Sequence, residues 1–207
     1  SVRERSQNLV TVTRGLTPVA CSGDQIRECR RIIRKNGGGV VSLPDGVTLE
    51  VTKDFVWLTR DTGKAEPFSF DITLPREGES VKYSCAEGGF DLFFSRNPQE
   101  PPEMDENIYK LSINTAVRFD TIYGRVFVRG RVAGDSLSLG GTHRRLKKMI
   151  CDRGIPESRR DRLPVICDGE GVLLVPGLPV RGPAYARAED ISEKRVPYVL
   201  YCLNKDF

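Results

Sequence analysis

This 207-residue chain predicts an α+β fold: mainly antiparallel sheet with a few short helices, in two small units. Three observations carry that class. Apolar residues alternate in most of the short runs, as in half-buried strands. Turn residues separate successive runs at hairpin spacing. Helical periodicity is confined to a few short stretches, chiefly after Asp24 and over 142–153.

Residues 1–20 show little pattern beyond a short strand at 9–12. Ser22-Gly23-Asp24 then opens a helix, with Asp24 as the expected N-cap. Ile26, Cys29, Ile32 and Ile33 form its buried side, and Arg27, Arg30, Arg31, Arg34 and Lys35 decorate the rest. Gly37-Gly38-Gly39 follows the helix rather than preceding it, so it reads as a C-cap and loop and not as a phosphate cradle. Residues 40–43 are a strand, Pro44-Asp45-Gly46 a turn, 47–52 an alternating strand and 55–59 another, with Trp57 a core aromatic. Residues 61–64 close the first unit, 1–64.

The second unit, 65–207, continues in strands. Phe68, Phe70, Ile72 and Leu74 alternate, as do Val81, Tyr83 and Cys85, and Glu87-Gly88-Gly89 turns the chain into 90–94. The acidic, proline-rich segment 95–107 is a solvated loop or linker, after which 108–113 resumes the sheet. In 125–132, Val126, Val128 and Val132 face one side, while Arg125, Phe127, Arg129 and Arg131 face the other. Arginines interleaved with an aromatic suit phosphate pairing and base stacking. They equally suit a wetted strand face over a covered ring. Strands at 164–167 and 172–175 flank the turn 168–171, 181–193 is a loop, and 197–203 is a final strand.

The charge is concentrated in one stretch, 140–164 (GGTHRRLKKMICDRGIPESRRDRLP). A basic helix is expected over 142–153, with Thr142 as N-cap after two glycines. Leu146, Met149 and Ile150 make its apolar stripe. Arg144 and Lys148 lie opposite that stripe, and Arg145 and Lys147 flank it. Gly154 ends the helix, Ile155-Pro156 is extended, and 157–163 is a second short helix or turn carrying Arg159, Arg160 and Arg162. Residues 125–162 hold eleven Lys and Arg against four acids, a surplus of seven, while the whole chain is +4; the remainder is therefore net −3. A local cationic surplus is the footprint expected for a polyanion, most often nucleic acid. A solvated helix face accounts for charge alone about as well.

Chemistry is scarce. The six cysteines form no C-x-x-C pair and fit neither a zinc site nor a dense disulfide framework. Free, mostly buried thiols in a reducing cytoplasm are expected. Cys151 differs in lying beside Arg144, Lys147 and Lys148. His143 is the sole histidine; a hydrolytic triad would have to be built on it, with no G-x-S-x-G elbow in sight. There is no G-x-x-x-x-G-K-[ST] loop and no dinucleotide fingerprint, and the Ser138–Gly141 stretch SLGG only superficially resembles a phosphate loop. No apolar run approaches a membrane span and no signal peptide is visible, so a cytoplasmic protein with no membrane partner is expected. The chain begins with Ser1, as expected for a piece cut from a longer protein.

Residues 129–177 resemble the C-terminal domain of the bacterial tRNA(Ile)-lysidine synthase family. The resemblance is carried by RGRVAGD (129–135), HRRLKK (143–148), DRGIPESRRDRLPVI (152–166) and GVLLVPGL (171–178). The family pattern has an Arg, a Gly-Asp, a basic helix around Lys-Lys-Leu-Lys, an Ile/Val-Pro, then Arg-Asp-x-Ile/Leu-Pro before a strand. Its counterparts are Gly134-Asp135, Arg144-Arg145-Leu146-Lys147, Arg160-Asp161 and Leu163-Pro164. Residues 24–60 are similar, more loosely, to that family's middle region, a helix followed by an L-P-x-G turn between strands, here 43–46. Arginines stand where the family usually has lysines at 144 and 145, which keeps charge but changes hydrogen-bond geometry. The family's Ser-Gly-Gly-x-Asp-Ser pyrophosphatase loop is absent.

The resemblance implies a tRNA-recognising portion without its ATP-pyrophosphatase domain, itself non-catalytic and without a cofactor. The parent it implies is a ligase that uses ATP and Mg to activate the anticodon wobble cytidine of tRNA(Ile) and attach lysine. On that view Arg129, Arg131, Arg144, Arg145, Lys147, Lys148, Arg159, Arg160 and Arg162 contact the backbone of the acceptor stem, and Gly134 and Asp135 fix the turn that aims the helix. Two alternatives remain at this point: a protein-interaction module with a basic face, and an enzyme with a cryptic site. Oligomeric state is open, a homodimer included.

Overall fold

The computed structural model describes residues 21–35, 38–51, 56–60, 66–96, 109–155, 157–186 and 197–204. The expected strand at 9–12 and most of the loop 95–107 lie outside them. The chain divides into two compact units, 1–64 with 151–160 and 65–150 with 161–207.

In the first unit a helix, α1 (Gly23–Arg34), precedes a three-stranded antiparallel sheet of β1 (Gly39–Ser42), β2 (Val47–Val51) and β3 (Val56–Arg60), in that order. The N-cap is Ser22 and not Asp24: Gln25 N–H donates to the Ser22 hydroxyl at 3.3 Å, while Ser22 N–H donates to Gln25 Oε1 at 2.9 Å. This reciprocal capping box satisfies two otherwise orphaned N–H groups, leaving Asp24 in the first turn to pair with Arg27. Ile32 buries against Val41, Leu49, Val51 and Val56. The helix lies so close to the sheet that a Cβ at Gly39 would stand 2.7 Å from Ile32 Cγ2. The turn at Pro44–Gly46 puts Asp45 and Gly46 at φ 57° and 67°, the left-handed region that Asp and Gly tolerate best.

The second unit contains β4 (Ser69–Ile72), β5 (Ser80–Cys85), β6 (Phe90–Ser95), β7 (Tyr109–Ala116), β8 (Val126–Arg129), β9 (Ser136–Leu139), β10 (Thr142–Arg145), β11 (Val165–Asp168), β12 (Gly171–Leu174) and β13 (Tyr198–Asn204), with a helix, α2 (Leu146–Asp152), following β10 directly. Two four-stranded sheets, ordered β5-β6-β13-β7 and β12-β11-β8-β4, pair antiparallel throughout. Their apolar faces supply one core: Phe90, Leu92, Phe94 and Val199 from the first, Val126, Val128, Ile166 and Leu173 from the second. The alternation in β6 and β8 is what delivers those side chains to one face. The remaining strands, β9 and β10, form a separate two-stranded hairpin.

One polar pair is sunk into this unit. Arg181 forks onto Asp168 at 2.5 and 2.6 Å, with side chains 5% and 0% exposed. The same carboxylate accepts the N–H groups of Tyr123 and Glu170 at 3.1 and 2.9 Å. Burial pushes the Asp168 carboxyl up, but the guanidinium and the two N–H groups outweigh it and hold the carboxyl below its usual range. Removing Asp168 strands a buried cation, a change that typically costs about 3–5 kcal/mol. Asp168→Ala is therefore expected to lower the urea midpoint sharply. Because the folded carboxyl is the stronger acid, its stabilisation is complete above the unfolded value near pH ~4 and lost as pH falls through the lower folded value. Urea unfolding at pH 6 and pH 3 should show wild-type stability falling with acid, and a smaller fall in Asp168→Ala.

Candidate nucleic-acid interface

The cationic stretch folds differently from the expected single helix over 142–153. Thr142–Arg145 is a strand, paired antiparallel with Ser136–Leu139 so that Arg145 faces Ser136 and Thr142 faces Leu139. Gly140 and Gly141 close the hairpin at φ 55° and 80°. Positive φ at both loop residues is the type I′ pattern, whose twist matches that of the strands, and Gly-Gly is among the pairs that permit it. Thr142 therefore does not cap a helix, and SLGG is half a hairpin rather than a phosphate loop. Helical conformation begins only at Leu146. Leu146, Met149 and Ile150 are buried as the spacing required, and Lys147 and Lys148 are thereby turned outward and exposed. His143, Arg144 and Arg145 on the strand are exposed too.

The junction of strand and helix is held from beneath. Gly134, at φ 92°, sits in the turn after β8. Asp135 beside it accepts both Nη atoms of Arg129 at 2.9 and 2.7 Å and the N–H of Val132 at 2.9 Å. Its backbone carbonyl accepts the N–H of Leu146 at 2.8 Å, the first residue of α2. Burial works to raise the Asp135 carboxyl, but Arg129 and the Val132 N–H outweigh it and keep it lowered. Arg129 in turn is raised, first by its hydrogen bonds to Asp135.

Several residues on the expected list of contact residues have partners within the chain. Arg129, expected to meet phosphate, pairs with Asp135. Arg131 is paired with Asp161 at 2.7 Å. Arg125, although exposed, forks onto Asp71 at 2.6 and 2.7 Å, and its guanidinium lies 5.9 Å from the Phe127 ring. Arg162 is buried and donates to the Glu87 carbonyl at 3.3 Å. The arginines around β8 are thus supplied with acceptors from neighbouring segments; sequence periodicity places them on a face without revealing what stands opposite. Val132, expected on the same side as Val126 and Val128, lies beyond the end of β8 at Arg129 and is exposed. Arg159 and Arg160 lie in the first unit, in the short helix Glu157–Arg160, and both are half-buried. Arg160 Nε donates to the Ile155 carbonyl at 2.9 Å. The structure brings together Arg144, Arg145, Lys147 and Lys148, four exposed cations in five consecutive residues.

The two buried thiols offer no competing chemistry. Cys85 and Cys167 are buried, and burial pushes each thiol up to about 11, so neither is a thiolate at neutral pH. Cys151 is exposed at the end of α2. Among the described residues, no three His, Cys, Asp or Glu side chains converge to hold a metal. No helix among the described residues is long and apolar enough to cross a membrane.

Residues 126–192 match the family model of the TilS substrate C-terminal domain. The tRNA(Ile)-lysidine synthase of Bacillus subtilis (strain 168) is 26% identical over 151 residues, which is 70% of this chain and 30% of that protein. Over its C-terminal part, the chain is a homologue of tRNA(Ile)-lysidine synthases. The tRNA(Ile)-lysidine synthase of Clostridioides difficile (strain 630) is 32% identical over 136 residues, 66% of this chain and 28% of that one. A crystal structure of a TILS C-terminal domain superposes on 66% of this chain and 95% of its own, at TM-score 0.43 and 21% identity. The chain thus spans about 30% of the length of these synthases. The TilS-matching segment takes in the hairpin, α2 and the Arg129–Asp135 pair that joins them.

Asp135→Ala should loosen this junction while leaving the two large sheets folded. The expected cost is about 1–3 kcal/mol, the range for orphaning a buried hydrogen-bonding group. The reading is amide exchange, with protection at Leu146 falling well before protection in β6 or β13. Equal loss everywhere would show that the pair supports the whole unit and not the junction.

Proposed function

We propose that this chain is the tRNA-binding portion of a tRNA(Ile)-lysidine synthase, and that Arg144, Arg145, Lys147 and Lys148 grip the sugar-phosphate backbone of the acceptor stem. The observation that carries it is the outward display of these four cations on a strand–helix junction whose buried side is fixed, inside the segment that matches the TilS C-terminal domain. A-form RNA hides its base edges in a deep, narrow major groove, so a stem is recognised mostly by shape, phosphates and 2′-hydroxyls. Exposed lysines and arginines on a rigid frame suit that task. The parent enzyme, by the same reading, supplies ATP, magnesium and the ligation chemistry from outside this chain, and this portion delivers the substrate. Arg129, Arg131 and Arg162 build the frame and do not touch RNA.

Binding of tRNA should weaken steeply with salt, because each neutralised phosphate releases counterions. Lys148→Ala should weaken many RNAs alike and reduce the log–log salt slope by about 1, whereas Arg131→Ala should leave the slope unchanged. Titration from low to moderate salt measures both. A flat response, or equal affinity for an unrelated acidic protein, would overturn the reading in favour of a protein-interaction module.

A further inference from the structure

Two tyrosines stand out on the second unit. Tyr123 is 53% exposed and Tyr185 59%, the most exposed aromatic side chains among the described residues. Neither rides on a loose loop. Tyr123 is pinned at both backbone ends, its N–H donating to the buried Asp168 carboxylate at 3.1 Å and its carbonyl accepting from Gly169 N–H at 2.7 Å. A Cβ at position 169 would stand 2.9 Å from that carbonyl, so the glycine admits the close approach. Tyr185 pairs with Val117 in an isolated antiparallel bridge, and its N–H donates to the Gly182 carbonyl at 3.2 Å.

The two residues follow turns that pack against each other. Tyr123 follows the 3-10 turn Phe119–Thr121 and Tyr185 follows the 3-10 turn Gly182–Ala184. These turns pack together, with Arg118 N–H donating to the Ala184 carbonyl at 3.1 Å and Phe119 and Ala184 sharing the core. The Asp168–Arg181 pair locks both from below: Asp168 holds Tyr123, and Arg181 immediately precedes the second turn. The second turn also abuts the basic hairpin, since a Cβ at Gly182 would lie 3.6 Å from the N–H nitrogen of Gly140, in the hairpin's turn.

Holding large aromatic rings in water on a fixed backbone, next to a cationic strand, does nothing for the core. It does suit an anionic ligand with flat faces. Paired bases inside a stem already stack on one another, whereas unpaired bases do not, and aromatic side chains supply the missing surface. We infer that Tyr123 and Tyr185 form a stacking platform for unpaired nucleobases adjoining the duplex held by the hairpin. The inference rests on the RNA-binding reading above and adds to it a second subsite of different chemistry.

The test compares three RNA ligands on the full chain: a blunt duplex, the same duplex with a four-nucleotide 3′ overhang, and that overhang made abasic. The abasic arm keeps the extra phosphates and removes only the bases. The base-bearing overhang should bind about tenfold more tightly than the abasic one, as expected for stacking of one or two bases. Tyr123→Leu with Tyr185→Leu should erase that difference, and the double Tyr→Phe variant should keep it, with unchanged far-ultraviolet circular dichroism confirming the fold in each. Equal binding of base-bearing and abasic overhangs, or a difference that survives the double Leu variant, would overturn the platform while leaving duplex binding intact. Failure of the blunt duplex itself to bind would overturn the RNA-binding reading and the platform with it.

Discussion

The Asp135 carboxylate is the point on which the cationic surface depends. Through its side chain it ties Arg129 at the end of β8 to the turn that follows, and through its main-chain carbonyl it receives the first N–H of α2. Strand β10 and helix α2 therefore leave one anchored residue pair, and the side chains between them have defined directions. With Leu146 and Ile150 filling the space beneath, Lys147 and Lys148 have nowhere to go but out. An electrostatic pair that is mostly shielded from water thus decides where the solvated charges stand.

The basic residues divide into two populations with different work. Arg125, Arg129, Arg131 and Arg181 each face a carboxylate, and the Arg129–Asp135 and Arg181–Asp168 pairs are the ones whose carboxylate is withdrawn into low-dielectric surroundings where pairing is obligatory. These cations serve geometry. Arg144 and Arg145 lie on a strand exposed along its whole length, Lys147 and Lys148 on a short helix whose opposite face is apolar, and on the proposed reading these four serve contact. The net positive charge of the stretch is the same under either arrangement. Placement, not charge, separates a binding surface from a scaffold.

The strands were readable because alternation is a local property: Phe90, Leu92 and Phe94 declare their common face without knowledge of any partner. A helix over 142–153 is expected because Leu146, Met149 and Ile150 are helical in spacing, but that period does not reach back over 142–145, which pair as a strand. The signal for the hairpin was present in Gly140-Gly141 flanked by SLSL and THRR, a two-residue loop that prefers positive φ. Asp24 lost the capping role to Ser22 because Gln25 completes a reciprocal box, a pattern visible in Ser-Gly-Asp-Gln. What no local rule shows is the acceptor opposite an arginine. Asp71, Asp135 and Asp161 reach Arg125, Arg129 and Arg131 only after the chain folds, so paired and displayed cations are alike in the sequence. The exposure of Tyr123 and Tyr185 is likewise a property of the assembled surface.

The most direct measurement is residue-by-residue mapping of the amide resonances of the isotope-labelled chain during titration with tRNA. The account predicts that the shifts concentrate on residues 142–148 and fade as salt is raised, with Arg129 and Arg131 shifting little. Shifts centred instead on α1, whose Arg30, Arg34 and Lys35 are also exposed, or on the frame arginines around β8, would contradict it.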